Sequence, residues 1–143
     1  MQLGCYRDSM LERAPKIADF MTTLPASVPA DSSLAEVARI MKAKSFHHLP
    51  IVEQGHIIGV IRDHDLTVAL NILGQNGAMT PVRQITMEEV YLVRPDSNLD
   101  EVIDTMTKFD LSNVLVIHHH RLVGIFTISD AIRALKTLRV ALT

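Results

Sequence analysis

An α/β fold built from two similar halves is predicted by three observations. Residues 31 to 66 return at 96 to 131 at a constant offset of 65 with no gap. Each copy carries an apolar stripe at helical spacing, then two short apolar runs broken by a polar turn, then a second helical pattern. The chain is 48% hydrophobic but only 4% aromatic, which suits a close-packed core of Val, Ile, Leu, Ala and Met. The copies share Asp31 and Asp96, Ser32 and Ser97, Leu34 and Leu99, Glu36 and Glu101, Val37 and Val102, Met41 and Met106, Gly59 and Gly124, Asp65 and Asp130. Where they differ, apolar pairs stay apolar, as in Leu49 with Val114 and Val60 with Ile125; Ile40 with Thr105 is an exception. An open repeat array needs three or more copies to bury its stripe, so two copies are expected to close on each other.

Residues 1–14 read as a leader, 15–77 as the first unit, 78–86 as a linker and 87–143 as the second unit. Pro15 can open a helical turn running to Met21. Pro25 and Pro29 hold the next stretch extended, because proline fixes its own backbone and restricts its predecessor. Ser33, with Glu36 three residues on, forms a capping-box pattern for a helix over Leu34 to Lys44, with Leu34, Val37, Ala38 and Met41 inward. His48 to Val52 and Ile57 to Ile61 read as a hairpin around Gly55, followed by a helix from His64 to Leu73. In the second unit the strand Val90 to Val93 precedes capping residues Asp96-Ser97-Asn98 and a helix over Leu99 to Phe109. Val114 to Ile117 and Leu122 to Phe126 form the second hairpin, and Ser129 to Leu138 the last helix. Each unit is therefore strand, helix, strand, strand, helix, an order that favours an α/β sandwich over a bundle.

Composition excludes several function classes. The net charge is -2 with signs interspersed, so no basic face exists to neutralise a nucleic acid backbone. Cys5 is the only cysteine, which rules out an intrachain disulfide or a cysteine-based zinc cluster. With no signal core and no apolar run long enough to span a bilayer, a cytoplasmic protein free of the membrane is expected. No Gly-rich loop followed by Lys-Ser or Lys-Thr is present, which excludes a P-loop hydrolase. Ser129 beside Asp130, and His64 between Asp63 and Asp65, lack the third orienting group a nucleophile relay needs, so no catalytic residue is assigned. His118-His119-His120 reads as an exposed turn, against the alternative of a weak metal site; no metal ligand is assigned. His48 reads either as lining a cleft or as ordinary packing.

The order of phrases in both halves resembles the cystathionine-β-synthase-like (CBS) domain family, as a stand-alone tandem pair. The resemblance covers residues 17 to 138. It is carried by Ile17-Ala18-Asp19-Phe20-Met21-Thr22, Val28-Pro29-Ala30-Asp31-Ser32-Ser33-Leu34, His48-Leu49-Pro50-Ile51-Val52 and Gly59-Val60-Ile61-Arg62-Asp63-His64-Asp65-Leu66. In the second half it is carried by Val93-Arg94-Pro95-Asp96-Ser97-Asn98-Leu99, Asn113-Val114-Leu115-Val116-Ile117 and Gly124-Ile125-Phe126-Thr127-Ile128-Ser129-Asp130. The resemblance implies two units packed through their sheets, two related clefts, frequent homodimers, and regulation of an attached or separate partner protein. It also implies an adenine nucleotide, AMP, ADP or ATP, or a related adenosyl compound, as a regulatory ligand with no cofactor required.

The family's nucleotide motif is intact at Gly124, Thr127 and Asp130. A carboxylate accepts from both ribose hydroxyls, so Asp130 is the expected ribose ligand, with Thr127 and Ser129 near phosphate at the helix start. Tyr91, Leu92, Val93, Asn113, Val114 and Leu115 are expected around adenine. Thr127 and Asp130 also have capping-box spacing, and a purely structural role is the competing reading. The first cleft keeps Asp65 but has Arg62 at the Thr position, so Arg62 either blocks or salt-bridges away an empty site or binds a polyphosphate tail or an anionic ligand. A structural interaction module without a nucleotide, or a weakly metal-responsive sensor, remain the alternative functions.

Overall fold

The computed structural model describes residues 14–23, 26–85 and 89–142, with side chains of the last helix described through Arg139. Cys5 and most of the expected leader lie outside the described residues, as do Leu24, Pro25 and part of the expected linker. The strands are β1 (Thr22–Thr23), β2 (Val28–Pro29), β3 (His48–Glu53), β4 (His56–Arg62), β5 (Leu92–Val93), β6 (Asn113–His118) and β7 (Arg121–Thr127). The helices are α1 (Leu34–Lys44), α2 (Asp63–Leu73), α3 (Leu99–Phe109) and α4 (Ile128–Leu142). The fold class is α/β, with two sheets.

One unit runs from Ala26 to Val90. Its sheet has the order β2-β3-β4, with β2 parallel and β4 antiparallel to β3. The Ser33 hydroxyl accepts the Glu36 amide at 3.1 Å and starts α1, as the capping pattern predicts. Leu34, Val37 and Met41 of α1 then pack with Leu49, Ile51, Ile61, Leu66 and Val82. Gln54 and Gly55, at φ 50 and 80, make the tight β3–β4 turn.

The other unit joins the N-terminal residues to Tyr91–Thr143. Its sheet has the order β1-β7-β6-β5. Asn98 caps α3 by accepting the Asp100 and Glu101 amides at 2.9 and 3.3 Å. Leu99, Val102 and Met106 bury against Ile17, Val114, Val116 and Phe126. Its β6–β7 turn places His119 and His120 at φ 49 and 64, where the first copy has Gln54 and Gly55. Both hairpins carry a register shift at matching positions, between Ile51 and Val52 and between Val116 and Ile117.

The division by sequence order differs from the folded one at two segments. Residues 15–23, expected in the first unit, pack in the unit of Tyr91–Thr143. From the expected linker, Val82 is core of the other unit and Ile85 packs against it. The reason is that the duplication extends further upstream than side-chain identity reveals: Ile17 and Val82, 65 apart, are each fully buried. The Ile17 amide donates to the Ser97 carbonyl at 2.9 Å, and the Val82 amide to the Ser32 carbonyl at 2.8 Å. The Leu99 amide is held by Pro15 at 2.9 Å, and that of Leu34 by Thr80 at 3.0 Å. Each copy therefore supplies the segment that closes the helix start of the other copy.

This exchange explains Gly124. A Cβ built there lies 2.8 Å from both the Met21 Sδ and the Thr22 carbonyl oxygen, so only glycine lets β1 lie against β7.

Candidate functional site

Asn113 opens β6 and Thr127 closes β7, and the two stand opposite each other in the ladder. The Ile128 amide then donates to the Ser112 carbonyl at 3.2 Å, which turns the chain from sheet into α4. Asp130 sits in the first turn of that helix and is fully buried. Its Oδ2 accepts from the Thr127 amide at 2.9 Å and the Thr127 hydroxyl at 3.2 Å, while the Asp130 amide donates to Thr127 Oγ1 at 3.3 Å. This is the reciprocal cap that the spacing allows.

The other oxygen, Oδ1, accepts from the Thr22 hydroxyl at 2.9 Å and from the Arg133 guanidinium. A carboxylate offers about four acceptor positions, and four protein donors occupy those of Asp130. Asp130 thereby holds together β1, the end of β7 and the first turn of α4, the structural role that competes with ligand binding in the sequence.

The residues expected around adenine divide between two faces of the sheet. Val114 is fully buried in the core cluster beneath α3, where only its backbone groups are available, while Val93 packs on that cluster and stays partly exposed, lining a surface pocket with Leu92 and Arg94. Leu115 points the other way and is also buried. Tyr91 and Leu92 are exposed at the sheet edge, and the Tyr91 carbonyl accepts the Leu115 amide at 2.9 Å. The Tyr91 ring stacks beside exposed Phe109, centroids 6.0 Å apart. Asn113 is buried and its Nδ2 donates to Ser112 Oγ at 3.2 Å, while Ser129 is exposed on the first turn of α4.

In the other unit the equivalent positions are filled differently. Arg62 grips Asp65 through Nε at 3.0 Å and Nη2 at 3.1 Å, and the Arg62 amide reaches Asp65 at 3.4 Å. His48 stands opposite Arg62 in the ladder and is half-buried. Arg62 thus occupies the carboxylate of Asp65 in this structure. Nearby, the His47 Nδ1 lies 2.8 Å from Asp63, and that hydrogen bond outweighs partial burial to hold the Asp63 carboxyl below its usual range. His64 contributes only its amide to Asp63, at 2.7 Å.

His118, His119 and His120 are exposed. Among the described residues no group of three or more His, Cys, Asp or Glu side chains is arranged to hold a metal. No helix among them is long and apolar enough to cross a membrane.

Sequence reasoning missed two residues at Asp130. Arg133 was accessible, because a cation three residues beyond an acid on a helix faces it. Thr22 gave no local signal, being 108 residues away in sequence.

A family model described as CBS domain matches residues 17–72 and 82–137. The CBS domain-containing protein YhcV of Bacillus subtilis is 28% identical over 114 residues, covering 80% of this chain and 81% of that protein. The L-aspartate semialdehyde sulfurtransferase of Methanocaldococcus jannaschii is 31% identical over 119 residues, but these cover 82% of this chain and only 22% of the enzyme. Among solved structures, the domain pair of protein MJ0100 in complex with 5′-methylthioadenosine and S-adenosyl-L-methionine superposes with a TM-score of 0.74 at 28% identity. It covers 87% of this chain and 98% of that one.

Proposed function

The chain belongs to the CBS domain family, and from that premise we propose that it is a regulatory module that senses an adenosine-bearing ligand. The observation that carries this reading is the similarity, at 28% identity over 87% of the chain, to a domain pair in complex with 5′-methylthioadenosine and S-adenosyl-L-methionine. Both ligands share an adenine and a ribose diol with AMP, ADP and ATP. In this reading Asp130 takes the ribose hydroxyls. Thr127 and Ser129, at the positive end of α4, face the 5′ substituent. Backbone groups of Tyr91–Val93 and Asn113–Leu115 flank the base, and the exposed Tyr91–Phe109 ring pair extends that surface. The Arg62–Asp65 pair keeps the equivalent position of the other copy empty.

The module acts on a separate regulated protein or on its own assembly in the cytoplasm, and carries out no catalysis itself. Val68 and Ile72 on α2, with Ile132 and Leu135 on α4, are exposed apolar residues suited to a homodimer, Ile72 and Leu135 at 78% and 67% exposure. Ala69, between them on α2, packs instead against the core of its own unit.

One observation favours a second reading, an interaction module without a ligand: the donors already on Asp130. A melting-shift and calorimetric panel of 5′-methylthioadenosine, S-adenosyl-L-methionine, AMP and ATP separates the two. At a hundredfold excess over Kd a ligand adds about 2.7 kcal/mol of stability. Stabilisation by the adenosine series supports the sensor; none of the four stabilising the protein would reject it.

A further inference from the structure

We infer that Thr22 and Arg133 form a clasp that competes with the ligand for one oxygen of Asp130, so that ligand engagement releases β1 from its sheet. The inference rests on the ribose reading of Asp130 and adds to it a determinant of affinity and a route of regulation.

The two oxygens of Asp130 are not equivalent. Oδ2 is held by the Thr127 amide and hydroxyl as part of the reciprocal cap of α4, and losing those bonds opens the helix start. Oδ1 is held by two side chains alone. One is the guanidinium of Arg133, whose side chain is 62% exposed and loses little by turning back to water. The other is the Thr22 hydroxyl, carried on a strand of two residues paired only with Ile125 and Gly124. A diol donating to Asp130 therefore has one exchangeable side to take, and must displace Thr22, Arg133 or both.

That displacement has a structural consequence. The Thr22 hydroxyl is the side-chain tie between β1 and α4, and the ladder that remains is too short to hold a strand firmly. β1 thus loosens when the ligand arrives, while buried Ile17 and its bond to Ser97 keep the residues before it in place. In the copy that holds Asp65, the guanidinium on the carboxylate is that of Arg62, three residues before it instead of three after.

The test uses 5′-methylthioadenosine, whose uncharged 5′ group gives Arg133 no anion to bind. Its affinity is measured by calorimetry for the wild-type protein, Arg133→Ala, Thr22→Val and the double variant, with folding checked by circular dichroism. Competition predicts that each single substitution tightens binding, by roughly tenfold and within the 5- to 150-fold range of ordinary coupling. It also predicts that ligand speeds amide exchange at Met21–Thr23 in the wild type. Equal or weaker binding by folded variants, alongside measurable wild-type binding, overturns the clasp and leaves the ribose reading standing. Binding by the double variant alone supports the clasp in its strongest form. Failure of the folded double variant to bind 5′-methylthioadenosine, S-adenosyl-L-methionine, AMP or ATP removes the ribose reading, and the clasp with it.

Discussion

Thr22 donates its hydroxyl to Asp130 at 2.9 Å across 108 residues of chain. The bond ties the first strand to the last helix of the same unit, at a carboxylate without solvent contact. Asp130→Asn puts an amide donor among groups that are themselves donors, so at least one buried bond is lost and a repulsive contact replaces it. The expected cost is about 3 kcal/mol, in the range for breaking a buried charged pair. Urea unfolding measures it, and a change below about 0.5 kcal/mol would show that surface substitutions and this one behave alike.

Gly124→Ala is expected to expel β1. The new methyl meets the Thr22 carbonyl, a backbone atom that moves only if the strand moves. Overpacking of this kind costs about 1–3 kcal/mol. Hydrogen exchange should quicken at Thr22 and Thr23 while the Ala26–Val90 unit keeps its protection; unchanged exchange at those amides would contradict the close approach.

His47 lowers the folded-state proton affinity of Asp63 below that of the unfolded chain. The resulting stabilisation is present above the unfolded carboxylate value, about pH 4, and fades as pH falls through the lowered folded value. Asp63→Asn should thus cost a little at pH 7, under about 1 kcal/mol because both side chains are largely exposed, and nothing at pH 2. Equal losses at both pH values would mean that the pair is not electrostatic.

Arg62→Thr copies Thr127 into the other unit and frees Asp65 from its guanidinium. Stability should change by less than about 1 kcal/mol, as for other partly exposed pairs. The stoichiometry of adenosine-ligand binding is expected to rise from one to two per chain by calorimetry. A loss of binding would instead identify Arg62 as a ligand contact.

Helix positions were legible because capping and periodicity act locally. α1 and α3 begin and end where Ser33, Asn98 and their apolar stripes place them. β3, β4, β6 and β7 ran a residue beyond expectation at Glu53, His56, Arg62, Asn113, His118, Arg121 and Thr127, since polar residues at ladder ends still pair, while β5 pairs only Leu92 and Val93 of the expected Val90 to Val93. The Thr127–Asp130 cap was readable from a spacing of three. What sequence order hid was the exchange of segments, because Ile17 and Val82 differ in identity and their partners, Ser97 and Ser32, lie far along the chain. The saturation of Asp130 followed from that exchange, and no local pattern announces a donor arriving from β1.

The swapped segments also set an order of assembly. As the chain leaves the ribosome, residues 15–23 emerge before the rest of both sheets, yet the sheet that receives them is made last. The unit of Ala26–Val90 already contains all its own pieces, including Val82, by the time synthesis reaches Tyr91. It is therefore placed to fold during translation, with the opening strand waiting for β7 and long-range closure coming as the slow step.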